Sequence, residues 1–140
     1  MDNMRFEAPE TLDAAVALLA GASGEARVLA GGTDVIVQMD AELIEPDLLV
    51  DIKNIPEVNG IAIVNGGWRV GAAVSGMNII EHEAFKKAWP GVVEGVALLG
   101  SIQIKGRASI GGNLCNASPA AGSVPAIVAA LPRATLALLD

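Results

Sequence analysis

The chain has 140 residues, enough for one domain or for two small lobes that share a core. Its formal net charge of −7, with no tyrosine and only two tryptophans and two phenylalanines, argues against a nucleic-acid partner. The single cysteine excludes an internal disulfide and a cysteine-based metal site, and no apolar run reaches the ~20 residues that span a bilayer, so we expect a soluble cytoplasmic protein.

The first part of the chain predicts a small βα lobe. Thr11 is a suitable cap for a helix over residues 12–20. Apolar strands are predicted over residues 26–30 and 47–52, with a short helix over residues 35–39 between them. Because a helix separates the two strands, we expect them to pair in parallel.

The rest of the chain predicts an antiparallel sheet with helices, so the expected fold class is α+β. Asn65-Gly66-Gly67 lies between two apolar runs and is a strong hairpin signal. Residues 75–99 are mostly helical, with a break near Trp89-Pro90. A helix over residues 125–131 and a strand over residues 134–140 follow, and since the sequence stops on that strand, the second lobe looks incomplete.

A first glycine motif follows the first predicted strand, in the run VLAGGTDV from Val28 to Val35. Glycine permits positive φ and close approach of a ligand, and successive backbone N–H groups in such a turn form an anion-binding concavity. Thr33 can bind a phosphate or cap the helix, and Asp34 can cap it or contact a sugar hydroxyl. The spacing matches neither a P-loop nor the GxGxxG fingerprint, and an ordinary connecting turn is the alternative.

A second glycine motif, Ile110-Gly111-Gly112-Asn113, repeats the predicted order of strand, Gly-Gly and polar residue. It lies in a stretch of small residues, 101–126, that contains two cations, Lys105 and Arg107, and no acid. Two such loops on two lobes predict a cleft between them that suits a long ligand with a central pyrophosphate. The alternative is that both are tight turns in a core of small residues.

Four segments of the chain together resemble the FAD-binding domain of molybdopterin-dependent dehydrogenases, the medium-subunit family of the carbon monoxide dehydrogenase, xanthine dehydrogenase and aldehyde oxidase type. The segments are VLAGGTDVIVQM, LLVDIKNIPEVNGI, WRVGAAVS and the stretch from Gly100 to Ala126. They cover nearly the whole chain in the order and spacing of the family. The pair of glycine loops makes the resemblance specific.

The resemblance implies a two-lobed fold of the vanillyl-alcohol oxidase and molybdenum hydroxylase type. Residues 1–55 would form the N-terminal lobe with the first pyrophosphate loop, and residues 56–140 the first part of the second lobe. FAD would lie between them. The implied partners are a large molybdopterin-binding subunit that oxidises substrate and a small subunit with 2Fe–2S clusters. This chain would pass electrons to NAD or another acceptor and would carry no acid–base catalytic residue of its own.

The resemblance also implies which residues contact FAD. Those of the first loop, along the pyrophosphate, are Val28, Leu29, Ala30, Gly31, Gly32, Thr33 and Asp34. Those of the second segment are Leu99 and Gly100, near the adenine half, and Ala108, Ser109, Gly112, Asn113, Asn116 and Ser118, along the other wall. A Gly32→Asp substitution is accordingly predicted to abolish FAD binding, because a Cβ and a carboxylate would meet the pyrophosphate.

Two departures from the family pattern favour a second hypothesis. Gly122 stands where the family usually has an aspartate that contacts the flavin end of FAD, and the sequence stops near the middle of the family's usual length. An unfinished sheet leaves an open edge, so we expect the chain to form a homo-oligomer or swapped dimer, or to pair with another subunit. The second hypothesis is a non-enzymatic remnant that binds no FAD and serves in assembly; a third is binding of another pyrophosphate nucleotide.

The remaining single residues are expected to be structural. His82 is predicted to lie on the surface of a helix, and Cys115 is predicted to be a small buried thiol within the second segment. Trp68 and Trp89 are predicted to pack against the core.

Overall fold

A computed structural model describes residues 4–118, 121–130 and 133. The strands, in chain order, are β1 (Arg5–Glu7), β2 (Ala26–Leu29), β3 (Leu48–Asp51), β4 (Ile61–Val64) and β5 (Gly67–Val70). The helices are α1 (Leu12–Ala20), α2 (Val35–Asp40), α3 (Gly76–Glu81), α4 (Glu83–Ala88), α5 (Pro90–Ala97), α6 (Ile102–Lys105), α7 (Ile110–Cys115) and α8 (Val124–Ala129). The predicted strand over 134–140 lies outside the described residues, as does the last residue of the predicted helix over 125–131.

The first sheet is parallel, as its sequence predicts, with the strand order β1-β3-β2. Its central strand, β3, is almost wholly apolar, and Val50 has no exposed surface. A strand with neighbours on both sides and a helix on its face buries nearly every side chain, which stabilises the fold by roughly 1.5–3 kcal/mol for each large one. Ala15 of α1 packs against this strand, and the Thr11 side chain caps the helix by accepting from the Ala14 N–H at 3.2 Å.

The second sheet is the predicted antiparallel hairpin of β4 and β5. Asn65 and Gly66 form its turn, with φ values of 51° and 77°. Positive φ at both central residues is the conformation that matches the twist of a two-residue hairpin. Gly67, predicted as part of the turn, is the first residue of β5.

Helices α3, α4 and α5 enclose the second core. Ile79 and Val96 have no exposed surface there, and Phe85 is 4% exposed. The predicted break at Trp89-Pro90 is confirmed, and a further break falls at His82. His82 is half-buried rather than on the surface, because its Nδ1 caps α4 by accepting from the Phe85 N–H at 3.1 Å and its ring stands edge-on to Trp68. Trp68 packs against this core as predicted.

The second glycine motif is a helix, so the predicted strand and Gly-Gly turn are wrong. Ile110 begins α7, and Gly111 and Gly112 lie in its first turn. Glycine is a poor helix former, but Ser109 caps this helix by accepting from the Gly112 N–H at 3.1 Å. A Cβ on Gly111 would approach within 2.6 Å of the Ala72 Cβ, so close packing between α7 and the segment after β5 requires glycine.

Across the ranges described, no helix combines the length and the apolar character that crossing a membrane would require.

Candidate functional site

A cavity of about 530 Å³ lies between the loop from β2 to α2 and the segment around α7. Nearly all of the residues that the sequence singles out meet on its walls. Those that line it are Val28, Ala30, Gly31, Gly32, Thr33, Asp34, Leu99, Gly100, Ala108, Ser109, Gly112, Asn113 and Asn116. Leu29 and Ser118 do not line it. Two segments that are about 75 residues apart along the chain therefore form one site.

The first wall is a loop with unused backbone donors. The N–H groups of Gly31, Gly32, Thr33 and Asp34 find no acceptor within the described part of the chain, and Ile36 is the next to donate, to the Gly32 carbonyl at 3.2 Å. Consecutive N–H groups that border an open cavity are an anion-binding arrangement, because buried or half-buried donors need a partner. Asp34 occupies the cap position of α2, but its side chain makes no capping hydrogen bond.

The two glycines of this loop are required for different reasons. A Cβ on Gly31 would collide with the carbonyl of Arg107 and would lie 2.9 Å from the Cα of Ala108, so only glycine lets the two walls touch. Gly32 has a φ of +76°, and its Cβ would meet the side chains of Ile36 and Leu29. A Gly32→Asp change therefore strains the backbone whether or not a ligand binds. The sequence-based prediction for this substitution considered only a clash with the pyrophosphate and missed the strain.

Side-chain hydrogen bonds join the walls of the cavity to each other and to α8. The Gln38 amide on α2 donates to the Asn116 side-chain oxygen at 3.1 Å, although 78 residues separate them. The Asn113 amide donates to the buried Ser123 hydroxyl at 2.6 Å. Each asparagine therefore keeps only part of its hydrogen-bonding capacity for a ligand.

Several lining residues were not predicted from the sequence: Arg27, Val35, Gln38, Ile52, Ala72, Ile104, Gly111 and Cys115. Gln38 could have been found, because it lies four residues after Asp34 and so on the same face of α2. Cys115 is exposed, so the predicted buried thiol is wrong; as the last residue of α7 it faces the cavity rather than a core.

Positive charge contributes little to the cavity. Arg27 lines it, but its guanidinium pairs with the Glu25 carboxylate at 2.7 Å. Lys105 and Arg107, the two cations of the second segment, do not line it, and the Lys105 ammonium donates to the Ala97 carbonyl at 3.1 Å. Backbone N–H groups are therefore the main donors that the cavity offers to an anion.

Comparisons with known proteins assign the chain to a family. Residues 2–138 match the family described as FAD binding domain in molybdopterin dehydrogenase, and the chain belongs to this family. It is 35% identical over 123 residues to caffeine dehydrogenase subunit beta of Pseudomonas sp. (strain CBB1), a match that covers 88% of this chain and 41% of the relative. It is 32% identical over 123 residues to the xanthine dehydrogenase FAD-binding subunit of Escherichia coli O157:H7, covering 87% of this chain and 42% of that protein.

Solved structures confirm the α+β fold class. The carbon monoxide dehydrogenase from Hydrogenophaga pseudoflava superposes with a TM-score of 0.80 and 29% sequence identity, over 84% of this chain and 41% of that one. The chain thus spans about two fifths of the length of the relatives that it matches.

Proposed function

We propose that this chain binds FAD in the cavity between the loop from β2 to α2 and the segment around α7, as the electron-transfer subunit, or part of it, of a molybdenum-containing dehydrogenase or hydroxylase. The observation that supports this most is the row of N–H groups from Gly31 to Asp34, which border the cavity and have no acceptor in the described residues. A pyrophosphate supplies the anionic oxygens that such donors bind. Family membership supports the same cofactor.

The residues present fit this cofactor in distinct roles. The loop N–H groups would hold the pyrophosphate, and the uncapped Asp34 carboxylate would accept from a sugar hydroxyl. Leu99 and Gly100 would lie near the adenine half on the other side of the cavity. Leu29, whose side chain lies close to Gly32, would support the loop without lining the cavity. Ser118, which also does not line the cavity, would contact a part of FAD that extends out of it.

The bound cofactor would supply the redox chemistry of the subunit, and the protein would bind and orient it. The subunit would take electrons from 2Fe–2S clusters on a small partner subunit and deliver them to NAD or another acceptor. Substrate would be oxidised on a large molybdopterin-binding partner, in the cytoplasm. In this proposal residues 1–55 form one lobe and residues 56–140 contribute to a second, and the isolated chain forms a homo-oligomer or a swapped dimer.

Gly122 supports the alternative of a remnant that binds no FAD. Apart from its chain neighbours, no described residue lies within 4 Å of a Cβ built on Gly122, so a carboxylate would have room there and glycine supplies none. A further alternative, another pyrophosphate nucleotide in the same cavity, uses the same loop.

A titration of the purified chain with FAD tests the proposal, with flavin fluorescence and absorbance as the readout and the mass in solution recorded alongside. Saturable binding at about 1 μM or tighter, displaced by ADP and not by FMN, supports the proposed orientation with the pyrophosphate and adenine half in the cavity. Binding of ADP but not of FAD would favour another nucleotide. A folded chain that binds neither would favour the remnant.

A further inference from the structure

Lys53, two residues after the end of β3, contacts both a neighbouring carboxylate and the backbone of the loop between β2 and α2. Its ammonium donates to the Ala30 carbonyl at 3.0 Å and lies 2.8 Å from the Asp51 carboxylate. Ala30 is buried and lines the cavity, whereas Lys53 does not line it. The lysine therefore reaches the loop from behind rather than from the side where a ligand would lie.

The contact lies next to the last backbone hydrogen bond between β3 and the end of β2. Leu29 and Asp51 are partners in the β2–β3 register, and the Ile52 N–H donates to the Leu29 carbonyl at 3.1 Å. The Ala30 carbonyl lies one residue beyond β2 and accepts from no backbone N–H in the described part of the chain, while the Lys53 N–H donates to the Asp51 side chain at 2.9 Å. The Lys53 ammonium therefore supplies the donor for this carbonyl of a buried residue.

This hydrogen bond determines the direction of the first N–H group of the loop. The peptide between Ala30 and Gly31 is planar and trans, since the described chain has no cis peptide, so its carbonyl and its N–H point in opposite directions. Glycines at 31 and 32 would otherwise let this peptide rotate easily. Holding the Ala30 carbonyl against Lys53 keeps the Gly31 N–H directed away from the lysine.

Lys53 is itself held at its backbone carbonyl and at its ammonium. The Asn59 amide donates to the Lys53 carbonyl and also to the Ile55 carbonyl, the latter at 3.1 Å, and Asp51 is only 16% exposed. These contacts fix the backbone from which the ammonium reaches Ala30, so the ordering of the loop costs less entropy when a ligand arrives.

We infer that Lys53 is a positioning residue, which orients the Ala30–Gly31 peptide so that the loop presents its N–H groups to the pyrophosphate of the cofactor. The inference rests on the proposed function, since it assigns a task to the same loop. Lys53 acts through the backbone and does not touch the cofactor.

The test compares Lys53→Met, which keeps the alkyl chain but removes the donor, with Lys53→Arg and with Lys87→Met in the full 140-residue chain. Lys87 lies in the last turn of α4 and loses the same charge away from the cavity. We expect the Kd for FAD to rise about tenfold in Lys53→Met and to stay within about twofold in the other two variants. The rise should be equal at about 0.1 M and about 0.5 M NaCl, because the hydrogen bond to Ala30 is a short-range contact.

Two results would overturn the inference. One is an FAD affinity of Lys53→Met equal to that of Lys87→Met. The other is a loss that disappears at the higher salt concentration, since the ammonium would then act on the anion through long-range charge.

A second measurement does not need FAD. In the ligand-free chain, the amide NMR signal of Gly31 should move in Lys53→Met and stay in place in Lys87→Met. An unchanged Gly31 signal contradicts the inference. If the parent chain fails to bind FAD while the Gly31 signal still moves, the proposed function fails and the orientation of the peptide by Lys53 is supported.

Discussion

Replacing Gly31 by alanine tests the contact that brings the two walls of the cavity together. The added Cβ would collide with the Arg107 carbonyl and would lie 2.6 Å from its carbon, whereas ordinary contact begins at 3.4 Å. The carbon alone would require a movement of roughly 0.8 Å, and the oxygen, which lies closer still, requires more than that. No rotamer change can relieve the clash, because the atoms that the Cβ meets belong to the backbone. We expect unfolding free energy to fall by about 2–3 kcal/mol and Tm by roughly 6–12 °C.

The same displacement should weaken FAD binding, because it alters the spacing between the loop donors and the opposite wall. Thermal unfolding by circular dichroism and FAD titration of the same sample measure both effects. Gly91→Ala is the matched control: nothing lies within 4 Å of its Cβ, and it is in the first turn of α5, so it should stabilise the chain by about 0.4–1 kcal/mol. A Gly31→Ala chain with the Tm and the affinity of the parent would show that the loop does not lie against residues 107–108.

Three further substitutions probe the cavity. Gln38→Ala removes the hydrogen bond to Asn116, so it should lower the free energy of unfolding in urea by about 1 kcal/mol and weaken FAD binding severalfold. Gln103→Ala, at an exposed position of α6, should change neither quantity. Equal effects of the two substitutions would contradict a role of Gln38 in joining the two walls. Gly122→Asp adds, in open space, the carboxylate that the resemblance implies at this position, and it should lower the Kd for FAD by about threefold or more. Gly60→Asp, equally open, should leave the Kd unchanged. An unchanged Kd in Gly122→Asp would show that the carboxylate is unimportant here. Asp34→Asn should raise the Kd for FAD about fivefold if the carboxylate accepts from a sugar hydroxyl. Asp40→Asn, at the other end of α2 and away from the cavity, is the control and should leave the Kd unchanged. Tighter binding by Asp34→Asn would instead mean that Asp34 repels the phosphates.

Local structure was largely predictable because neighbours in sequence decide it. Thr11 accepts from an N–H three residues later, and Asn65-Gly66 adopts the positive φ values that its turn requires. The parallel pairing of β2 and β3 follows from the helix between them. The failure at α7 has a tertiary cause: two glycines predict a turn, but a serine cap and the close approach to Ala72 stabilise a helix.

The site was predictable as a set of segments but not as a geometry. The two glycine motifs indicate where the backbone is not covered by side chains, and in the structure both line the same cavity. Nothing near Gly31 in sequence reveals that Arg107 touches it, and nothing near Gln38 reveals its bond to Asn116. Lys53 was missed for the same reason, since it lies 23 residues from Ala30 in sequence and only the fold brings the two together.

A net charge of −7 is compatible with an anionic ligand because of how this cavity supplies its donors. Surface charges act over about 8–10 Å in physiological salt, and the acidic surface therefore slows the approach of an anion more than it weakens the bound state. The N–H groups from Gly31 to Asp34 act at contact distance, and their strength depends on orientation rather than on net charge. Pairing of Arg27 with Glu25 leaves that orientation as the main source of affinity. The residues that aim and space the loop, Lys53 behind it and Gly31 against the opposite wall, should consequently matter more for binding than any cation at the cavity's rim.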